Sequence, residues 1–369
     1  MSASPLLQPM TFPCGAVAPN RVWLAPMTNK QSHADGTLSD DELRWLVARA
    51  EGGFGVIESC ATHVSEDGQG WDGEWGIFAD RHIDGWRRAA DAVHAHGALL
   101  FAQLFHGGER AVRRGDAAPW SATALHAPDD PKHVRASTAD DIRRVIDAFV
   151  ASAHRAVAAG LDGIELHGAH GYLLCQFLRA DRNTRDDAWG GSLENRARLL
   201  RTILRRTRAE VPTSFVVGVR LSPENGGHLT GLDLDESLQT ARWLCEDGAD
   251  FVHISLWDAG PNTQKRPDVH AATAFRAAMP DDVPLITAGA IWTAADGARQ
   301  LDLGADAVAL GRAGICNPDW PQRVAGGGEA PARPPLSADA LRARALSDTF
   351  VDYMRRWDGF VAPDPEPTA

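Results

Sequence analysis

Two kinds of apolar pattern alternate along the chain. Short, nearly continuous runs of Val, Ile, Leu and Phe are followed by longer stretches in which apolar positions recur every three or four residues. The first kind reads as buried strands and the second as amphipathic helices. Strands are predicted over residues 21–27, 54–60, 98–105, 163–166, 215–221, 250–255, 283–287 and 307–310. Helices are predicted over 40–51, 82–96, 138–159, 193–210, 235–247, 269–279 and 294–303. Ser39 with Glu42 three residues later predicts a capping box on the first helix, and Ser137 or Thr138, followed by acids, opens the third. Two long loops interrupt the rhythm: 61–80, which carries Trp71 and Trp75, and 109–136, rich in Pro, Asp, Arg and His.

Eight strand–helix alternations without a break in composition predict one α/β unit, a (β/α)8 TIM barrel with an additional C-terminal helix. The barrel is expected to occupy residues 1–325. Residues 326–369 then form a flexible connection (glycines 326–328, prolines from 331 to 335), a helix over 338–357 and a frayed Pro-rich tail from 363. No sequence repeat of about 20–50 residues underlies the alternation.

Composition narrows the class. A chain of 369 residues with 44% hydrophobic content and 35 glycines suits a compact, turn-rich enzyme. A net charge of −12 and pI near 5.6 argue against nucleic acid or an anionic membrane as a partner through a broad basic surface. The five cysteines are scattered and never spaced CxxC, which suits free thiols in a reducing cytoplasm and no structural zinc or iron–sulfur cluster. Residues 1–13 lack the pattern of a signal peptide, and no apolar run approaches the ~20 residues of a membrane span. A cytoplasmic location is expected.

Chemistry concentrates in the stretch Gly163-Ile164-Glu165-Leu166-His167-Gly168-Ala169-His170-Gly171-Tyr172. Two imidazoles three residues apart can point the same way from a helical turn and donate to one oxygen. The phenol of Tyr172 would supply a proton from another direction. On these residues alone a metal pair, or histidines satisfying local backbone, stays open. The other strand ends offer Thr28, Gln103, Arg220, Gly289 and the pair Gly311-Arg312. Gln103 and Arg220 each need a partner in an apolar run, and Arg220 could find one in Glu165 or Glu224. Glycines after the seventh and eighth strands, with Arg312, suit a phosphate.

With NTRDDAWGGSLENR (residues 183–196) after HGAHGYLLCQFL (167–178), the chain resembles the old yellow enzyme family of FMN-dependent oxidoreductases over about residues 5–321. The resemblance implies an ene-reductase that binds FMN through Pro26, Met27, Thr28, Ser59, Gln103, Arg220, Gly289, Gly311 and Arg312. Thr28 would sit beside a flavin pyrimidine carbonyl and Arg220 near N1. NADPH or NADH would be the reductant, and a small unsaturated carbonyl or nitro compound the substrate. His167 and His170 would hold the substrate oxygen, Tyr172 would protonate the α-carbon, and Lys30 would face the substrate. The resemblance leaves open whether the chain forms a homo-oligomer.

Glu109, where many relatives carry arginine, and Lys30, where several bacterial relatives carry tyrosine, depart from the family on its substrate side. Dienoyl-CoA reductases and amine dehydrogenases of the family carry cysteine clusters and extra domains that this sequence lacks. Two readings from other classes are a flavin-free, phosphate-binding isomerase or aldolase, and a flavin-storage module. The second has no use for His167, His170 and Tyr172.

Overall fold

Runs of β-branched and aliphatic residues such as Val216–Leu221 bury both faces, as parallel strands wrapped by helices must. The computed structural model describes residues 4–128, 130–226, 230–326 and 330–363. The eight barrel strands are β1 (Val22–Leu24), β2 (Val56–His63), β3 (Leu99–Phe105), β4 (Gly163–Gly168), β5 (Val216–Leu221), β6 (Phe251–Ser255), β7 (Leu285–Ala288) and β8 (Ala307–Leu310). All pair in parallel, and β8 returns to β1 through Val308–Val22 and Leu310–Leu24, which closes the barrel. Arg21 Nη1 ties the same seam by donating to the Asp306 carbonyl at 3.2 Å.

The predicted TIM barrel is therefore the observed fold, with local corrections. β1 ends at Leu24 rather than at 27, because Pro26 has no N–H to continue the ladder. β2 begins at Val56 and runs on to His63 through a bulge between Glu58 and Ala61. β4 extends through Gly168, so His167 belongs to the strand and not to the turn.

Two helix expectations also change. Ser39 Oγ accepts from the Glu42 N–H at 3.0 Å, but the Glu42 carboxylate accepts from Asn29 Nδ2 at 2.9 Å, so only half of that capping box forms. The helix expected over 338–357 is two, Ala338–Arg342 and Asp348–Arg355. Ala345 at φ 64° breaks the run and Ser347 caps the second helix. Gly327, Gly328 and residues 364–369 lie outside the described residues, and with them most of the glycine connection and the Pro-rich tail. Gly326 ends the helix Trp320–Gly326.

The barrel interior is filled in levels. An antiparallel pair that the sequence reading did not foresee, Met10–Thr11 with Val17–Ala18, forms the floor. It brings Phe12 to 5.9 Å from Trp23, which meets Phe101 at 5.7 Å and Phe251 at 5.2 Å, both edge-on. Gly218 leaves room for this cluster, since a Cβ there would overlap the Phe251 ring. Above the floor the inward positions turn polar, with Glu58, Gln103, Glu165 and His253, then His167, Arg220 and Ser255. Outside, helices such as Ala139–Ala158 and Leu193–Glu210 pack apolar faces on the strands. Among the described residues no helix is long and apolar enough to cross a membrane, and all five cysteines are free.

Candidate active site

The carboxyl ends of the strands converge on one mouth, and β4 brings the most chemistry to it. His167 leaves the strand 3% exposed. The chain then reverses through His170 at φ 60° and Gly171 at φ 74°. A left-handed pair of this kind is easy for glycine and strained for histidine. The reversal returns Tyr172 to the mouth as the N-cap of the short helix Leu173–Leu178. The histidines therefore meet from a strand end and a reversed turn, not from the helical turn expected. Their rings lie 5.0 Å apart at 87°, and His167 lies 5.2 Å from Tyr172.

Each ring is held. Tyr172 stands edge-on to Phe105 at 4.5 Å, and the Arg110 guanidinium covers its face at 4.4 Å. Arg110 Nη1 also donates to the His170 carbonyl at 3.0 Å. The His170 N–H donates to Ser222 Oγ at 3.1 Å, and its Nε2 meets Ser255 Oγ at 2.7 Å. Ser255 Oγ in turn accepts from Arg220 Nη2 at 3.0 Å. Burial first, and then the charge of neighbouring His170 and Arg220, keep the His167 imidazole well below its usual range, so it is neutral. Its Nδ1 has no partner among the described residues. Burial raises the Tyr172 phenol, which therefore keeps its proton.

The remaining expected residues divide. Pro26, Met27 and Thr28 leave β1 at the mouth, and a Cβ on Gly311 would meet only Met27 Sδ at 3.7 Å. Arg312 beside it is exposed, its guanidinium 5.5 Å from the Trp257 ring. Gly289, at φ 145°, brings β7 so close to β6 that a Cβ would sit 2.6 Å from the Leu256 carbonyl oxygen. Ser59 points its hydroxyl into the strands instead, donating to the Cys60 carbonyl at 2.7 Å and accepting from the Gln103 N–H at 3.2 Å. The Gln103 amide donates to Glu165 Oε1 at 2.6 Å. Glu224, one suggested partner of Arg220, accepts from the backbone N–H groups of Gln264 and Lys265.

On the substrate side Lys30, at φ 58°, holds its Nζ 5.7 Å from the Tyr353 ring of the C-terminal helix. Glu109 faces Arg182 Nε at 3.8 Å, and the cation over Tyr172 comes from the next residue, Arg110. Phe105, Arg110, Ser222 and Ser255 were missed in the sequence. Ser255 ends the sixth strand, and that position alone could have singled it out. A cleft of about 640 Å³ lined by residues including Asp67, His106, Trp120 and Arg144 opens elsewhere and takes in none of His167, His170 and Tyr172.

Two observations test a flavin mononucleotide against these residues. Arg220 Nε and His167 Nδ1 are buried donors or acceptors without partners. Open backbone at Gly311 adjoins the exposed cation Arg312, as a phosphate requires. The donor set fits.

The sequence model of the NADH:flavin oxidoreductase / NADH oxidase family matches residues 5–330. The chain is similar to the probable NADH-dependent flavin oxidoreductase YqiG of Bacillus subtilis (strain 168), 33% identical over 88% of this chain and 89% of that one. It is also 33% identical to the NADH:fumarate oxidoreductase of Klebsiella pneumoniae (strain 342) over 88% of its own length, but spans only 36% of that protein. Among solved structures it superposes on the old yellow enzyme homologue from Zymomonas mobilis with a TM-score of 0.79, at 29% identity, covering 94% of this chain and 99% of that one.

Proposed function

Because the chain belongs to the NADH:flavin oxidoreductase / NADH oxidase family, whose members are FMN-dependent oxidoreductases of NADH or NADPH, we propose that it is an ene-reductase. Its substrate is a small α,β-unsaturated carbonyl or nitro compound, and the reaction saturates the activated C=C bond. The observation that supports this reading best is the convergence at the barrel mouth of His170 and Tyr172 on His167, whose ring lies 5.0 and 5.2 Å from theirs. A flavin-free isomerase or aldolase is set aside by the family.

Bound FMN would supply the hydride for the substrate's β-carbon, after taking it from the nicotinamide. The protein's own residues do the rest. The glycine backbone at Gly289 and Gly311 and the cation of Arg312 would hold the phosphate, while Pro26, Met27, Thr28, Gln103 and Arg220 would face the ring's polar edge. Ser59 acts through Gln103, whose backbone N–H it accepts. His167 and His170 donate to the substrate oxygen, which stabilises the charge that builds there without a full countercharge. Tyr172, still protonated, gives its proton to the α-carbon. Lys30 faces the substrate from the first strand's loop.

Turnover of an enone, a nitroalkene and a maleimide with each nicotinamide tests the reading. Reduction of at least one member is expected. Bleaching of the flavin by NADH or NADPH with no turnover of any member would overturn it. In a second measurement, His167→Ala and His170→Ala should each weaken binding of a phenolic ligand by roughly 1.5–3 kcal/mol, the range for a hydrogen bond to a charged oxygen. Unchanged titrations in both variants would return the pair to a purely structural role.

A further inference from the structure

Beneath His167 and Arg220 the barrel holds two carboxylates cut off from solvent, Glu58 at 1% and Glu165 at 0% exposure. They are treated very differently. Glu165 Oε1 accepts from the Gln103 amide at 2.6 Å, and its Oε2 lies 2.7 Å from His253 Nδ1. Neither oxygen of Glu58 has a hydrogen-bond partner, and His253 Nδ1 stands off at 4.0 Å.

The three groups offer ligand atoms within 4.8 Å of one another, close enough to grip a cation. That role is already filled. The charge of Arg220 already acts on both carboxylates, and His253 Nδ1 already bonds Glu165 at 2.7 Å. What remains is a charge balance. One guanidinium offsets one carboxylate, and a second buried carboxylate without donors would cost several kcal/mol to ionise. Like charges this close in a dry interior do not both ionise.

We propose that Glu165 is a positioning residue that orients Gln103 where the flavin's polar edge would lie and is the one fixed negative charge there, with Glu58 held neutral beside it. The inference rests on the flavin site described above. Burial, and next the charge of Glu165, push the Glu58 carboxyl well above the usual carboxylate range. Burial likewise lowers His253, so the imidazole serves Glu165 as a neutral donor. The Glu165 charge partly cancels the Arg220 cation, and so would disfavour reduction of a flavin bound at this site.

The test is the midpoint potential of the FMN-loaded enzyme, measured by dye-equilibrated titration. Glu165→Gln removes the charge and should shift the reduction equilibrium at least tenfold towards reduced flavin, about 30 mV for a two-electron couple. Glu165→Asp keeps the charge and should restore most of the wild-type value, which loss of packing alone would not explain. Glu58→Gln replaces one neutral group by another and should stay within about twofold. A wild-type potential in Glu165→Gln, or an equal shift in Glu58→Gln, would overturn the proposal.

Infrared spectroscopy of the wild-type protein decides the state of Glu58 even if Glu165→Gln does not fold or no flavin is bound. A carboxylic-acid carbonyl band at neutral pH that disappears in Glu58→Gln is expected. Its absence would mean that Glu58 is ionised. A preparation that binds no flavin counts against the functional reading, and this band against the buried pair.

Discussion

Tyr172→Phe is expected to leave reduction of the flavin by NADH or NADPH near normal while slowing reoxidation by an enone about 10²–10⁴-fold, the usual contribution of a positioned general acid. The two half-reactions differ in one respect that matters here: only the second needs a proton delivered to carbon. The substitution keeps the ring, which is held by Phe105 edge-on at 4.5 Å and by Arg110 at 4.4 Å. Packing should therefore change little. Stopped-flow traces of each half-reaction separate the possibilities. Nitroalkenes should be spared, because the nitronate they form is stable enough to leave unprotonated. Equal slowing of both halves would mean that Tyr172 positions ligands. No slowing would assign the proton to water or to a group such as Lys30.

The second large effect is on stability. Trp23→Ala should destabilise the fold by about 3–5 kcal/mol, the range for removing a buried aromatic. Trp23 is 0% exposed and touches Phe12, Phe101 and Phe251 at once, so its loss leaves a cavity bounded by three rings. Urea unfolding should show a lower midpoint with an unchanged slope. A loss below about 1 kcal/mol would mean that the hairpin carrying Phe12 sinks to fill the space.

What could be read in advance follows from periodicity and from what it omits. Strands buried on both faces announce themselves as apolar runs, and all eight were legible. The floor hairpin was not, because Met10–Thr11 and Val17–Ala18 are too short to show any period. The break in the C-terminal helix was hidden as well, since nothing in Arg342-Ala343-Arg344-Ala345 signals a left-handed alanine. At the mouth, His167, His170 and Tyr172 were visible as a motif, yet the reversal that makes them converge depends on His170 taking a conformation that sequence rarely reveals. Arg110 carries no sequence signal, because its place over Tyr172 depends on the turn at Gly108 and on the reversed chain at His170. Glu165 was readable as a possible partner of Arg220, but its pairing with Glu58 was not. Glu165 draws its partners Gln103 and His253 from 62 and 88 residues away, and only the fold brings them and Glu58 together.

Closure of the barrel through β8 and β1 also bears on synthesis. The seam joins Arg21 to Asp306, 285 residues later. At a translation rate of ~5–20 residues per second, β1 waits on the order of 15–60 s for the strand that completes it. Throughout that interval the edge of β1 that pairs with β8 has no permanent neighbour. The nascent chain thus stays open to sticking and to chaperone capture along this edge until β8 emerges.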